Sequence, residues 1–375
     1  MDFGLTDEQV AMGVAVRGWL AAHLGTARVH AYVDETSAAV DTELHHAAAD
    51  LGWLGVTAPV TDGGLGLGLL DLAVVVEALG AALAPAGVWA AIAACDVLAT
   101  SADAEQRRRW LAPMIAGDLV GATALRAPGG SWDSAGVAVT ATADDLLTGD
   151  AGVVEHATRA DVLLVAALSA TGVRIFVVDA RHPGVSMRAV EPVDRTTHAA
   201  RVTLTGVTGD AVRWPQDGVF ERVVGRLTLL VAADLIGAAD SAMRITLAHL
   251  RQRRQFGRAI GGFQAIQHEL AELYVELTTI TDAVRYTAHS HDTGNADAAL
   301  MTSVVKSRAA DLAFRMAAAT VQFHGALGFT WEHSAHLFFK RLHRDAYAFG
   351  DAGWHDPVIA AAAVGAETTY TGGTR

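Results

Sequence analysis

The spacing of apolar residues changes twice along the chain, and each change marks a predicted domain boundary. Over residues 1–118, apolar side chains recur every three or four positions, which is the period of helices. Residues 119–215 hold short β-branched runs such as VLLVAAL and VRIFVVDA, separated by glycine, aspartate and proline, and these predict strands. The helical period returns over residues 219–365, and residues 366–375 form a polar tail. The chain is therefore predicted to be mostly α, with a small central β domain.

Three long helices are predicted in the C-terminal part, over RLTLLVAADLIGAADSAMRITLAHLRQRR, FQAIQHELAELYVELTTITDAVRYTAHSH and ALMTSVVKSRAADLAFRMAAATVQFHG. A short final helix, VIAAAAVGA, is predicted after them. Long helices with one apolar face are typical of a four-helix bundle.

Composition narrows the class of protein. Apolar residues make up 51% of the chain and charged residues 18%, which indicates a large core together with a buried subunit interface. The net charge of −13 argues against a nucleic-acid-binding protein, which would carry a basic face. Because Cys95 is the only cysteine, no disulfide forms within the chain, and a reducing, cytoplasmic location is expected.

One stretch, residues 78–95, is long and uncharged enough to raise the question of a membrane span. Gly80, Pro85 and Gly87 interrupt it. Two buried helices joined by a turn are therefore predicted here, and no membrane span is expected.

Two other stretches resemble known binding motifs but lack the neighbouring elements or residue spacing that those motifs require. GGLGLG resembles a dinucleotide fingerprint, but it follows PVTD in a helical region and not a strand, so a plain loop is predicted. WEHSAHLFFKRLHRD holds three histidines and a glutamate, but their spacing is not H-E-x-x-H and no further ligand cluster supports it. No metal site is predicted.

The stretch RQRRQFGRAIGGFQ places several arginines at the end of a long helix. One interpretation is a solvated helix end, where cations offset the helix dipole. A second is an anion site, because the next helix begins with unpaired backbone N–H groups near Gln264. A glycine loop, QFHGALG, opens far downstream after another helix. Guanidinium groups, a helix N-terminus and a glycine loop together indicate a bound pyrophosphate.

At this point the chain resembles the FAD-dependent acyl-CoA dehydrogenase family, and in particular its actinobacterial branch. RRQFG, FQAIQHELAEL, VQFHGALGFTWEH and LGWLGVTAPVTDGGLGLG are similar to four of the family's motifs, and they are spread over almost the whole chain. The resemblance implies an N-terminal helical domain, a β-barrel-like middle domain and a C-terminal four-helix bundle. It also implies FAD as the cofactor.

The resemblance further implies roles for individual residues. Arg253 would lie on the FAD pyrophosphate, with Gln264 nearby. The other implied FAD contacts are Phe256, Gln322, Phe323, His324, Gly325, Leu125 and Ser131. In this family the RQFG and glycine-loop elements reach the flavin of a neighbouring subunit. A homodimer or homotetramer, or a heterotetramer with a homologous subunit, is therefore expected.

The sequence departs from the family pattern where the flavin ring should lie. RAPGGSWD stands in place of the family's T-E-P-x-x-G-S-D loop, and the W-I-T element is replaced near Val153 and Val154. The expected contacts to adenine and phosphate are kept, whereas the contacts to the ring are altered.

The catalytic base is the second departure. The reaction needs a carboxylate that removes a Cα proton from a polarised thioester. The family's Y-E-G-T loop aligns with Asp351 after a two-residue deletion, so Asp351 is the candidate base, with Glu332 a weaker rival. The alternative for Asp351 is a helix cap or a turn residue. At the helix position where some members carry the base, this chain has Leu227, which cannot act.

Three functions follow from the resemblance. The first is an acyl-CoA dehydrogenase that forms a trans-2-enoyl-CoA and passes electrons to an electron-transferring flavoprotein. The second is a non-catalytic partner subunit of a heteromeric acyl-CoA dehydrogenase for a bulky substrate. The third is a different oxidation on the same flavin scaffold.

Overall fold

The structure is a computed structural model that describes residues 4–35, 38–125, 131–213 and 218–370. Its first part is helical, as predicted. Thr6 caps the first helix with a capping box, in which its hydroxyl accepts from the Gln9 N–H and the Gln9 side chain accepts from the Thr6 N–H. The helices are α1 (Asp7–His23), α2 (Thr26–Glu35), α3 (Ala38–Asp50), α4 (Leu69–Ala81), α5 (Ala86–Ser101), α6 (Ala104–Gln106) and α7 (Ala112–Ile115).

The two predicted helices within residues 78–95 are confirmed, since α4 ends at Ala81 and α5 begins at Ala86. Among the described residues, no helix is long and apolar enough to cross a bilayer. GGLGLG is a loop, as predicted.

The central part forms one mixed sheet. Its strands are β1 (Gly121–Ala124), β2 (Thr140–Ala141), β3 (Leu146–Glu155), β4 (Val162–Ser169), β5 (Gly172–Asp179), β6 (Val185–Val190), β7 (Ala199–Thr208) and β8 (Asp210–Ala211). The hydrogen-bonded order is β6-β7-β3-β2-β4-β5-β8, with β1 parallel to β4. Because this path has two ends, the sheet is open, and the expected barrel-like closure is the one detail of the predicted fold class that was wrong.

The C-terminal part holds the three predicted long helices, each within a few residues of its predicted bounds except at the start of the first. They are α8 (Val219–Gln252), α9 (Gln264–Asp292) and α10 (Ala298–His324), followed by α11 (Ala335–Tyr347) and α12 (Ala352–Tyr370). Between α8 and α9 lies a two-stranded hairpin, β9 (Arg254–Gln255) and β10 (Arg258–Ala259). The final helix is longer than predicted, since it begins at Ala352, includes Pro357 and extends to Tyr370.

The helices and strands pack into two compact units. The first comprises residues 1–26, 73–83 and 228–375, and the second comprises residues 27–72 and 84–227. The two units are defined by which residues pack together, whereas the three predicted domains are consecutive segments of the sequence. The boundaries of those domains therefore stay a prediction.

Each unit has its own core. In the second unit, alternate residues of β4 and β7, such as Leu163, Val165 and Val202, pack into one buried cluster with Phe176. In the first unit, α4 and α8 approach closely at two glycines. A Cβ added to Gly80 would lie 2.0 Å from a carbonyl oxygen of α8, and one added to Gly237 would lie 1.9 Å from a carbonyl oxygen of α4.

Candidate functional site

The RQFG stretch forms the hairpin between α8 and α9. Its turn residues Phe256 and Gly257 have φ of +50° and +77°, the left-handed pair that a two-residue type I′ hairpin turn requires. Phe256 is 91% exposed, and its ring makes an edge contact with the Phe263 ring, with the two centroids 6.1 Å apart. The Arg258 guanidinium stacks 3.9 Å from the Phe263 ring centroid. The hairpin therefore holds an aromatic ring in solvent on a defined turn.

The hairpin brings the predicted phosphate-binding residues to one end of the first unit. The Ile260 N–H donates to the Arg253 carbonyl at 2.9 Å, which folds the chain back so that α9 begins at Gln264. The rings of His249 and His324 pack at a tilt with their centroids 4.6 Å apart, which brings the last turn of α10 to the last turn of α8.

The residues at this end fit the diphosphate of FAD. Arg253, Gln264 and Gln322 are exposed, and Phe263, the residue before α9, makes no side-chain capping hydrogen bond to it. Gly325 ends α10 with φ +63° and ψ −138°, a conformation open only to glycine. A guanidinium beside a free helix N-terminus favours an anion with several oxygens.

His324 and Phe323 are less accessible than their neighbours. His324 is 5% exposed, and its Nδ1 lies 2.6 Å from the Thr320 carbonyl. Its ring packs at a tilt against the rings of His333 and His249. Phe323 is half-buried. A side-chain contact from His324 to FAD stays a prediction. Among the described residues, no group of three or more His, Cys, Asp or Glu side chains is placed to hold a metal ion.

Two predicted flavin contacts lie in the second unit, at the ends of the loop that departs from the family pattern. Leu125 is buried directly after β1. The Ser131 hydroxyl donates to Asp133 at 2.6 Å. Residues 126–130 between them lie outside the described part of the chain, so their predicted place over the flavin is untested.

Asp351, the candidate base, lies in the loop that joins α11 to α12. Phe349 and Gly350 before it both have positive φ, of +57° and +94°. The Asp351 Oδ1 accepts from the Trp354 N–H at 3.2 Å, and its backbone carbonyl accepts from the same N–H at 3.1 Å. The side chain is half-buried. Asp351 thus caps α12, which is the alternative role that its sequence position left open.

Three buried charged residues around this loop were missed by sequence reasoning. Arg341 lies wholly inside and makes a bidentate pair with Asp234 of α8, with Nε–Oδ2 at 2.8 Å and Nη2–Oδ1 at 2.7 Å. Lys306 on α10 is also fully buried. Its Nζ donates to the carbonyls of Ala346 at 2.8 Å and Gly350 at 2.5 Å. No local motif marks them, because each lies far from its contacts along the chain.

Asp345 completes the network behind the loop. Its Oδ1 accepts from Arg344 Nε at 2.9 Å, and its Oδ2 lies 3.3 Å from Arg341 Nε. Burial raises the pKa of Asp345 well above its usual range, and the nearby Asp234 carboxylate acts in the same direction against the two arginines. The Arg344–Asp345 pair that located the candidate base is therefore part of a buried ionic network.

At the second position where the family can carry a base, this chain has no residue that could remove a proton. Leu227 is fully buried in α8. Its neighbour Arg226 makes a bidentate pair with the buried Asp96 of α5, with Nε–Oδ2 at 2.9 Å and Nη2–Oδ1 at 2.7 Å. The Thr57 hydroxyl donates to the same carboxylate at 2.8 Å. Both oxygens of Asp96 are therefore occupied.

Comparison with known proteins finds the same family in both helical parts of the chain. "Acyl-CoA dehydrogenase, N-terminal domain" matches residues 6–118, and "Acyl-CoA dehydrogenase, C-terminal domain" matches residues 221–353. The chain is 28% identical to acyl-CoA dehydrogenase IpdE2 of Mycobacterium tuberculosis over 341 residues, which cover 91% of this chain and 92% of that protein.

Two solved structures are similar over nearly their whole length. The Tcur3481-Tcur3483 steroid ACAD superposes with a TM-score of 0.88 and 28% identity, covering 96% of this chain and 99% of that one. The ChsE4-ChsE5 complex from Mycobacterium tuberculosis superposes with a TM-score of 0.88 and 26% identity, covering 96% of this chain and 98% of that one. The chain belongs to the acyl-CoA dehydrogenase family of FAD-dependent flavoproteins.

Proposed function

We propose that this chain is one subunit of a heteromeric acyl-CoA dehydrogenase that converts a bulky acyl-CoA thioester to its trans-2-enoyl-CoA. In this proposal the chain contributes FAD contacts, and a homologous subunit contributes the base. Electrons leave the assembly for an electron-transferring flavoprotein.

The observation that carries the proposal is the capping hydrogen bond that occupies the Asp351 carboxylate. A base must be free to approach the Cα–H of the substrate. The Asp351 carboxylate instead holds the first turn of α12, and its side chain is one methylene shorter than the glutamate of the family. Leu227 at the second base position has no titratable group, and the nearby Asp96 carboxylate is neutralised by Arg226.

The cofactor-binding end is better preserved than the position of the base. When bound, FAD supplies the acceptor for the hydride that leaves Cβ. Arg253 and Gln264 would hold its diphosphate, and the exposed N–H groups at the start of α9 would add to that charge complementarity. A subunit can therefore be required for cofactor binding without removing the proton itself.

Exposed apolar surface beside the hairpin supports an assembly. Phe256 is exposed to solvent, and a cavity of about 460 Å³ is lined by Ala259 of the hairpin together with Leu247, Leu250, Leu270 and Tyr274. Surfaces of this kind mark protein–protein interaction sites. The two similar structures carry the names of two chains each, and one is described as a steroid ACAD, which supports a heteromer and a bulky acyl group.

A homomeric enzyme with Asp351 as the base is the second candidate. It is favoured by the half-buried place of Asp351, six residues after Asp345 and next to the buried Lys306. Removal of the cap contact on substrate binding would free the carboxylate.

Co-expression with a homologous acyl-CoA dehydrogenase chain separates the candidates. We expect the two chains to co-purify in equal amounts as a yellow complex whose flavin is bleached by a bulky acyl-CoA. Asp351→Asn keeps the capping oxygen but cannot act as a base. In the heteromer this variant should retain turnover within about twofold, whereas the glutamate-to-glutamine change in the partner's base loop should abolish it.

The opposite result identifies the second candidate. Turnover by the chain alone, lost in Asp351→Asn and retained in the exposed control Asp282→Asn, would establish Asp351 as the base and refute the heteromeric proposal. A colourless complex that takes up no FAD would refute both.

A further inference from the structure

Lysine is rare in this chain, and one of its two lysines is completely buried. Of 28 basic residues, only Lys306 and Lys340 are lysines. Lys306 has no exposed surface, whereas Lys340 is half-exposed on α11. The buried Arg341 faces carboxylates, but the Lys306 amine faces backbone carbonyls. Unlike a guanidinium, an amine in such a place is able to lose its proton.

The two hydrogen bonds of Lys306 bracket a strained turn. They end on the carbonyls of Ala346 and Gly350, which flank Phe349. Phe349 has φ +57°, a conformation that bulky residues rarely adopt, and Gly350 follows with φ +94°. Such backbone persists only where the surroundings hold it in place.

A second buried side chain holds the same turn from the other side. His355 Nε2 on α12 lies 3.0 Å from the Phe349 carbonyl. A Cβ added to Gly350 would lie 2.4 Å from the Trp354 ring, so the turn also packs against α12. Lys306 and His355 together fix three carbonyls of the segment that leads directly into Asp351.

We propose that Lys306 is a positioning residue of the acyl-CoA site, which fixes the loop Tyr347–Asp351 and thereby sets how this loop meets a bound thioester. The inference rests on the proposed function, because the family resemblance is what places acyl-CoA beside this loop. It holds whichever subunit supplies the base.

Because the Lys306 amine can lose its charge, the strength of its two hydrogen bonds to the loop depends on pH. Burial lowers the pKa of Lys306 to about 7, against the opposing effect of the Asp345 and Asp351 carboxylates. Burial first, and the Lys306 charge next, lower the pKa of His355 to about 4, so this neighbour stays neutral at pH 6 to 8. Other charged groups on the packed elements include Asp234 on α8 and Arg341 and Arg344 on α11, which are paired with one another or with Asp345. On α12, Asp356 accepts a hydrogen bond from the Ser307 hydroxyl and acts to raise the pKa of His355. Because ionised donors form stronger hydrogen bonds than neutral ones, the loop is held less firmly as pH rises through about 7.

The test compares the FAD-loaded assembly with Lys306→Met and with the matched control Lys340→Met. The affinity for a bulky acyl-CoA is read from the change in flavin absorbance at pH 6, 7, 8 and 9. Wild type and Lys340→Met should bind more weakly as pH rises through about 7. Lys306→Met should bind about tenfold more weakly at pH 6, because both charged hydrogen bonds that hold the loop are lost, and its affinity should show no change around pH 7.

A second measurement needs no folded Lys306 variant. Lysine labelled with ¹³C gives one signal for each of the two lysines, and the Lys340→Met variant identifies which is which. The Lys306 signal should titrate at the same pH as the affinity for acyl-CoA. A Lys306 titration that does not coincide with the affinity change overturns the inference, as does an unchanged affinity profile in Lys306→Met.

Hydrogen exchange separates failure of this inference from failure of the proposed function. Amides of Phe349, Gly350 and Asp351 should exchange about tenfold faster in Lys306→Met than in wild type. If wild type binds no acyl-CoA, the proposed function fails and the role of Lys306 in that site fails with it. If wild type binds acyl-CoA normally and Lys306→Met changes neither affinity nor exchange, the inference alone fails.

Discussion

Arg341 and Asp234 form a bidentate ion pair in which both side chains are withdrawn from solvent, with exposures of 0% and 1%. The pair joins α11 to α8, and Asp345 extends it at 3.3 Å from Arg341. A buried charge that loses its partner is strongly destabilising, whereas a buried pair replaced by apolar residues of similar volume is often neutral.

We therefore expect Arg341→Met to lower the free energy of unfolding by about 3–5 kcal/mol, because Asp234 is left buried without its counter-charge. Chemical denaturation measures the loss. The double variant Asp234→Leu, Arg341→Met should recover part of it. Equal losses in the single and the double variant would show that packing of the arginine stem, and not charge pairing, is what stabilises this contact.

The crossing of α4 and α8 supplies a second prediction. Because a Cβ at Gly237 would lie 1.9 Å from the Glu77 carbonyl oxygen, Gly237→Ala forces the two helices apart. The free energy of unfolding should fall by about 1–3 kcal/mol, the usual result of overpacking. Gly18→Ala is the matched control, since a Cβ added to Gly18 on the exposed face of α1 would have no described neighbour outside its own helix backbone within 4 Å. In this control the free energy of unfolding should rise by about 0.5–1 kcal/mol, because alanine has a higher helix propensity than glycine. Similar effects in the two variants would contradict a close helix contact.

Stability in mild acid should depend on His156. This residue is buried against Gly87 at the end of β3, and burial first and His198 next lower its pKa to about 4. The unfolded chain binds a proton below about pH 6.5, but the folded chain does not bind it until about pH 4. Stability is therefore fully present above pH 6.5 and falls as pH drops from 6.5 to 4, by about 3 kcal/mol from this group.

Denaturation across pH 4 to 8 tests this slope. His156→Asn, which tolerates the left-handed backbone at this position, should reduce the slope without removing it, because burial also lowers the pKa of His355 to about 4. His268→Asn on the exposed surface of α9 should leave the slope unchanged. A parallel profile for wild type and His156→Asn would rule out a buried neutral imidazole.

The long helices were predictable because their apolar period persists over many turns. Strand β3 was not, since LLTGDAGVVE is interrupted by glycines and an aspartate and shows no alternation. Its pairing with β7 contains two register shifts, at Leu147/Gly149 and Asp150/Gly152, and the long partner strand compensates for them. In strands of this kind tertiary pairing overrides local propensity.

The candidate site likewise contains residues that a local sequence motif identifies and residues that only the packed structure identifies. Arg253, Phe256 and Gln264 lie within twelve residues, so one local motif identified them together. The contacts of Lys306 lie 40 and 44 residues away, and those between Arg226 and Asp96 lie 130 residues apart. A single lysine within an apolar helix carries no local signal of its partners, and only the packed structure reveals them.

Phe256 provides the last prediction, which concerns assembly. Asparagine adopts the left-handed conformation readily, so Phe256→Asn keeps the type I′ turn and removes only the ring. Because the ring is 91% exposed, the free energy of unfolding of the isolated chain should stay within about 0.5 kcal/mol of wild type or rise slightly. Association with a homologous subunit, measured by sedimentation, should weaken, and the flavin-to-chain ratio should fall with it. Val193→Ala removes apolar surface from another residue that is 78% exposed, and it should change neither quantity. If Phe256→Asn assembles and retains flavin as wild type does, the hairpin is not part of the subunit interface.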